Sequence, residues 1–345
     1  MMLPAILTIC ISIMLFSSLI IYLIRQYSIR KNLFDVPNNR SSHTTPTPKG
    51  GGIGIVLTLL ITISALFAYD MIESNLALSL LLGLSIVAIT GLIDDFKNIS
   101  ALKRALTYVI SALLSIYLIG GFTTVSINNY TLQLSHAGYL FSVLFVVWLI
   151  NLYNFMDGTD GFAAIQTIMV SLFCGYLFMT AENIPFTILI LGLFSSTLAF
   201  LYWNWSPAKI FMGDVGSCSI GFLFGLLSIY TGAKNIISIS VWLILLAPFI
   251  GDATYTLFKR ILNREKWYQA HNSHAYQRFY QSGFTHSQLA IGLFMINLLI
   301  VWPCATIANF DKSLELAMLI LVYSLIGILW LLGQKNYFIA KTKSV

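Results

Sequence analysis

The stretch "FSVLFVVWLINLYNFMDGTDGF", Phe141–Phe162, joins an unbroken apolar run to two asparagines and two aspartates. An apolar helix of about 20 residues crosses the ~30 Å hydrocarbon core of a bilayer, and runs of that grade recur from end to end of the 345 residues. The chain is 58% hydrophobic and only 9% charged, where soluble domains carry about 25% charged residues; its mean hydropathy is +0.83. These values exclude a soluble enzyme and imply an all-α integral membrane protein forming one polytopic domain over 1–345. The run Leu3–Ile24 has no basic segment before it and exceeds the apolar core of a signal peptide, so it is taken as the first span. Cys10, Cys174, Cys218 and Cys304 lie in or beside spans without CxxC spacing, which argues for packing rather than disulfide or metal chemistry.

Spans are expected at about 3–24, 51–69, 76–93, 105–121, 138–153, 162–180, 186–203, 217–232, 237–258, 287–307 and 314–333, about eleven helices in all. With the N-terminus outside, in the periplasm, the internal segments are 25–50, 94–104, 154–161, 204–216, 259–286 and the tail from 334. All of the 19 Lys and Arg residues except Lys234 and Lys312 then fall inside, Arg40 among them. That asymmetry follows the positive-inside rule and rejects the opposite orientation. It also explains the net charge of +6 without nucleic acid as a partner. One external segment, "GFTTVSINNYTLQLS", alternates β-branched and polar residues around Asn128-Asn129, which predicts a small periplasmic β-hairpin near 122–135. No repeat of 20–50 residues is visible.

Once oriented, the polar motifs share one surface. "GLIDDFKN" carries Asp94 and Asp95; "NLYNFMDGTDG" carries Asn151, Asn154, Asp157 and Asp160; "NWSPAKIFMGDVGS" carries Asn204, Lys209, Phe211 and Asp214; "HNSHAYQR" carries His271, His274, Tyr276, Gln277 and Arg278. A carboxylate at the bilayer centre costs roughly 2.5–3.5 kcal/mol. Five together, uncompensated, would cost on the order of a whole protein's net stability. The cluster therefore belongs at the interface or in a wet cleft supplied with cations. Any one Asp could be an interfacial cap; five in three short motifs, with paired histidines, point to a divalent cation and a phosphate-bearing substrate. Mg2+ takes oxygen ligands, keeps waters and uses one or two carboxylates plus substrate phosphates; Mn2+ is the alternative. Gly213 and Gly216 flank Asp214 where a helix begins, and helix N-termini favour phosphate. No GxSxG is present, so a nucleophilic-serine reading fails.

The ordered set DVPNNRSSHTTPTPKGGG, GLIDDF, NLYNFMDGTDG, IFMGDVGS and HNSHAYQR resembles the polyprenyl-phosphate N-acetylhexosamine-1-phosphate transferases, glycosyltransferase family 4, over about residues 30–285. The resemblance implies transfer of a sugar-1-phosphate from a UDP-N-acetylhexosamine to undecaprenyl phosphate, with release of UMP at the cytoplasmic face of the bacterial inner membrane. It implies Asp214 as the main Mg2+ ligand with Asn154 as a second, and Asp94 and Asp95 as the catalytic pair. Asp157 and Asp160 resemble nucleotide-pocket residues, Phe211 an aromatic stacked on uracil, and Lys49 a base near the nucleotide. Asn151, Asn204, His271, His274 and Arg278 fall in substrate-binding motifs, and Arg104 beside the lipid phosphate. A homodimer is also implied. The peptidoglycan branch carries consecutive histidines where this chain has HNSHAYQR, which is similar to the branch that starts O-antigen or related polysaccharides, often with a deoxygenated sugar. The alternatives are the phospho-N-acetylmuramoyl-pentapeptide transferases and, in other classes, a transporter or flippase, or a membrane scaffold. Transporters place charges near the midplane and show inverted repeats, whereas these charges crowd one surface.

An acceptor phosphate monoester, with a second pKa near 6, is largely dianionic at neutral pH. Positioning and charge neutralisation then do most of the work, which favours a single displacement over a covalent Asp intermediate. In this scheme Asp94 accepts a residual proton and Asp95 supports the site. Tyr153, Tyr202, Trp203, Trp205 and Trp267 are expected in interfacial belts, Asp252 in a structural role, and His43, His136 and His286 as solvated loop or interface residues.

Overall fold

The computed structural model describes residues 2–37, 42–43, 45–128, 130–266 and 271–343; Arg40, Asn129 and Trp267 lie outside them. Apolar runs become helices because a bilayer leaves a backbone no partner but itself. The helices are α1 (Met2–Arg30), α2 (Gly52–Ala68), α3 (Ser74–Lys97), α4 (Ala101–Ile119), α5 (Ser135–Met156), α6 (Phe162–Thr180), α7 (Ile184–Asn204), α8 (Asp214–Ala233), α9 (Ile239–Leu245), α10 (Ala247–Leu262), α11 (Ala275–Gln281), α12 (His286–Ile296), α13 (Trp302–Phe310) and α14 (Glu315–Lys343). A π-helical turn at Asn297–Val301 joins α12 to α13 as one span, His286–Phe310.

Among the described residues, nine helices are long and apolar enough to cross a membrane, or ten if the bent pair α9 and α10 counts as one; α2 is a shorter apolar helix. The protein is an all-α, multi-pass membrane protein, and its elements fall where the eleven expected spans lie. The ninth departs from expectation: it breaks at Leu246 with a 77° bend between α9 and α10. Pro248 sits in the first turn after the break, where proline's missing N–H costs nothing, whereas within a continuous helix it would remove a hydrogen bond.

The centre of the bundle is α8. Its apolar window is 94% buried, against 17% for α1. It packs on α2, α3, α4 and α5. Glycines let those neighbours close in: a Cβ on Gly52 would lie 2.3 Å from the Gly216 Cα, so α2 and α8 touch backbone to backbone. Aliphatic side chains on the outer surface, such as Leu7, Leu15, Ile61, Ile89 and Leu113, are exposed, as lipid-facing residues are. Tyr153 is not in an interfacial belt; it is fully buried against Phe224 and Phe249.

Two small sheets complete the fold. The predicted hairpin is present as β3 (Thr124–Ile127) paired antiparallel with β4 (Tyr130–Gln133). Its tip is pinned to the start of α14, for Asn128 N donates to Glu315 and Asn128 Oδ1 accepts from Leu316 N. The internal segment 25–50 contains β1 (Phe34–Asp35) paired with β2 (Thr47–Pro48). The loop 259–286 likewise contains α11.

A candidate active-site cleft at one end of the bundle

Four helix ends and a strap of chain converge at one end of the bundle. A cleft with an empty volume of about 850 Å³ opens there, walled by residues from every motif region. The carboxylates Asp95, Asp157, Asp160 and Asp214 line it, together with Asp35, Asn154, Asn204, Phe211 and Lys49.

The start of α8 organises the floor. Gly213 adopts a left-handed φ of 75° and lets the chain turn into the helix directly over Asp95, which accepts from Asp214 N (3.1 Å) and Val215 N (3.2 Å). A carboxylate there complements the positive end of the helix dipole and satisfies two orphan N–H groups. Asp214 accepts from Asn154 Nδ2 at 2.8 Å and from Arg104 Nη1 at 3.1 Å. The same Arg104 nitrogen donates to Asp94 Oδ2 at 2.6 Å, and Asp94 Oδ1 accepts from Ile99 N at 2.7 Å. Arg104 thus bridges Asp94 and Asp214, and Asp94 stands one contact behind the cleft wall.

The 157–161 turn forms a second wall. Asp157 is half-buried. Burial, and then the charges of Asp214, Asp95 and Asp160, hold its carboxyl well above the ordinary range. Asn204, buried at the end of α7, accepts from Gly161 N (2.8 Å) and donates to Ile210 O (2.9 Å), which clamps two loops together. The roof is backbone-built. Phe211 N donates to Pro48 O at 2.8 Å, and Gly51 N donates to Phe211 O at 2.9 Å. Lys49 and Phe211 are thereby fixed side by side, with Lys49 ion-paired to Asp35 at 3.3 Å.

Asn151, His271, His274 and Arg278 do not line this wall. Asn151 donates back to Val147 O within its own helix. His271 bonds Ser273, and burial, then His274 and Arg260, lower its pKa to about 4, so it is neutral at physiological pH. His274 lies 3.6 Å from Asp252, and Arg278 stacks on Tyr337 at 3.7 Å. Asp252 has the expected structural role: it caps α11 by accepting from Ala275 N and Tyr276 N. His43 and His286 correct the expectation of solvated positions. Both line the cleft, with His43 edge-on to Phe211 at 4.8 Å and His286 3.1 Å from Asp160; His136 is exposed. Gln277, named with the HNSHAYQR motif, lines the cleft, as does Asp35, whose one signal in the sequence was the DVPNN stretch.

The donor set suits a hard cation. Asp214 faces the N–H groups of Asn154 and Arg104, and among the described residues no group of three or more His, Cys, Asp or Glu could hold a metal ion by itself. A Mg2+ ion bound here would need Asn154 turned to present its Oδ1 and would draw the rest of its shell from water and substrate phosphates.

The bundle is a polytopic helical membrane protein with an acidic cleft at one end of its helices. Residues 77–232 match the family described as Glycosyl transferase family 4. Over 278 residues the chain is 28% identical to a probable undecaprenyl-phosphate N-acetylglucosaminyl 1-phosphate transferase of Bacillus subtilis, covering 79% of this chain and 77% of that one. It is 36% identical over 193 residues to a phospho-N-acetylmuramoyl-pentapeptide-transferase of Thermotoga petrophila, covering 54% and 61%. It is 29% identical over 262 residues to one of Orientia tsutsugamushi, covering 65% and 71%. The family match covers residues 77–232, and these relatives are transferases of sugar phosphates.

Proposed function

We propose that the cleft transfers an N-acetylhexosamine-1-phosphate from its UDP-sugar to undecaprenyl phosphate, releasing UMP at the cytoplasmic face of the inner membrane and starting a surface polysaccharide such as O-antigen. The observation that carries this reading is the charge imbalance of the cleft. Asp35, Asp95, Asp157, Asp160 and Asp214 line it, while Lys49 is the one Lys or Arg among the described lining residues. Asp157 keeps its proton and Arg104 pairs with Asp214 from behind, but the other carboxylates still disfavour a pyrophosphate unless a cation intervenes. Asp214 and Asn154 would hold Mg2+, which would neutralise the pyrophosphate and the departing UMP.

The remaining roles follow from which side chains line the cleft. The acceptor phosphate oxygen forms a new bond to the β-phosphorus, and the bond from that phosphorus to the bridging oxygen breaks, that oxygen leaving with UMP. The acceptor is already largely dianionic, so no strong base is needed. Asp95 lines the cleft, its oxygens accepting from Asp214 N and Val215 N, and a residual proton would go to one of its remaining lone pairs. Asp94, with both oxygens held by Ile99 N and Arg104, keeps Arg104 poised beside Asp214, facing the acceptor phosphate. This exchanges the roles that the sequence suggested for the pair. Phe211 offers a ring for the base, and Asp157 and Asp160 offer acceptors for the nucleoside. A separate apolar cavity of about 800 Å³, lined by Met156, Phe162, Pro248 and Tyr276, fits a prenyl chain. A phospho-N-acetylmuramoyl-pentapeptide donor is the second reading, favoured by the Thermotoga and Orientia relatives.

The test is UMP release by purified protein supplied with undecaprenyl phosphate, Mg2+ and a panel of UDP-N-acetylhexosamines, UDP-N-acetylmuramoyl-pentapeptide included. Release that requires lipid and Mg2+ together supports the reaction, and the preferred donor names the branch. No release from any donor, by protein that is folded and binds Mg2+, sinks it.

A further inference from the structure

The sequence passed over His286, and the mechanism above gives it no task. It is nevertheless the described residue that reaches the nucleotide side of the cleft from α12, on the far side of the bundle's break. Its backbone is rigidly set: Thr285 caps the helix by accepting from Gln288 N (3.2 Å), and Gln288 returns the bond to Thr285 N (2.9 Å). Its ring lies against Tyr280, with centroids 4.7 Å apart.

His286 Nδ1 stands 3.1 Å from Asp160 Oδ2 and 3.4 Å from Asp160 N. The structure shows Asp160 N donating to Nδ1 at 3.4 Å; with the proton on Nδ1 the ring would instead donate to Oδ2 at 3.1 Å, and His286 is taken below in that tautomer. Asp160 Oδ2 also accepts from Ala208 N at 3.2 Å. In that tautomer one oxygen of Asp160 is held by two donors from separate segments, the 205–213 loop and α12. The other oxygen, Oδ1, makes no hydrogen bond to any described residue, and Asp160 lines the cleft. A buried carboxylate with one oxygen fixed and the other open is a preorganised acceptor.

We propose that His286 is a positioning residue which, acting through Asp160, aims the free carboxylate oxygen at an N–H or O–H donor of the bound nucleoside. This rests on the nucleotide-sugar reading of the cleft. The contact it sets is made equally in the ground and transition states, so its loss raises KM for the nucleotide sugar and leaves kcat nearly intact.

The experiment compares wild type, His286→Leu, His286→Asn, Asp160→Asn and the His286→Leu/Asp160→Asn double variant. It measures UMP-release kinetics with the preferred UDP-sugar and, separately, calorimetric binding of UMP. Monodispersity and thermal midpoint establish folding. Asn places an amide N–H where Nδ1–H stood, so His286→Asn retains most of the affinity if the role is donation to Asp160. The expected result is a rise in KM of about tenfold or more for His286→Leu, with weakened UMP binding to match, and at most about a threefold change for His286→Asn. The double variant is expected to be no weaker than Asp160→Asn alone. Equal losses in His286→Leu and His286→Asn, a fall in kcat at constant KM, or full additivity in the double variant would each overturn the proposal. An active wild type with indifferent His286 variants removes this inference alone; a wild type that neither binds UMP nor releases it removes the reading of the cleft as well.

Discussion

Asp214 carries the heaviest demand of any single side chain, since it receives Arg104 and Asn154 and begins the central helix. Asp214→Asn keeps the shape and removes the charge that would hold a cation. UMP release is expected to fall by at least about a hundredfold, near the loss of a preorganised electrostatic partner, while the thermal midpoint stays within a few degrees. Asp157 makes a pH prediction. Its carboxyl is raised by burial and neighbouring carboxylates, so the folded protein keeps a proton that the unfolded chain releases near pH 4. Stability therefore declines as pH rises from about 4 toward the raised value. Asp157→Asn removes that decline, and its thermal midpoint relative to the parent is expected to climb between pH 4 and pH 7. A constant difference across that range would refute it. His271 has the opposite sign. With a folded pKa of about 4 against an ordinary 6.5, it contributes a rise in stability as pH increases from about 4 through 6.5. That rise is expected to flatten in His271→Gln.

At the scale of elements, the close approach of α2 to α8 is the weakest tolerance in the bundle. A side chain on Gly52 or Gly216 meets backbone rather than a movable side-chain end. Gly52→Val is expected to destabilise by about 1–3 kcal/mol or more, the range for overpacking, and to lower activity by displacing Lys49 and Phe211 from one another. Thermal unfolding in detergent alongside UMP release checks both. The elements also show what the sequence could convey. Hydropathy located the spans because lipid imposes helix on any long apolar run, and the aspartates of GLIDDF, MDGTDG and MGD announced themselves by being unaffordable there. The break at Leu246 was signalled by Pro248, but an apolar run on both sides hid it from a hydropathy reading. His286 and His43 were invisible for a different reason. Each gains its place by tertiary contact with a residue far away in sequence, Asp160 and Phe211, and nothing local marks such a pairing. His271, His274 and Arg278 looked functional through their motif, yet they pack against Ser273, Asp252 and Tyr337.

For the whole molecule, the charge asymmetry of the loops predicts which end of the bundle faces which compartment. The cleft and the β3–β4 hairpin belong to opposite ends in that scheme. With the four cysteines replaced, a single cysteine at exposed Tyr130 is expected to react with a membrane-impermeant maleimide in intact cells. One at exposed Asn263 is expected to react only after permeabilisation. The reverse pattern would overturn the cytoplasmic placement of the active site.

The near-complete enclosure of α8 has a consequence for biogenesis. A helix that shows almost none of its surface to lipid gains little from the bilayer and nearly everything from its neighbours, which precede it in the chain as α2, α3, α4 and α5. During synthesis the ribosome must therefore deliver most of the wall before the axis arrives, and the partly made bundle must hold an open slot until it does. Asp214, at the start of α8, lines the cleft, so under the proposed function a chain stopped short of α8 is expected not to bind the nucleotide sugar.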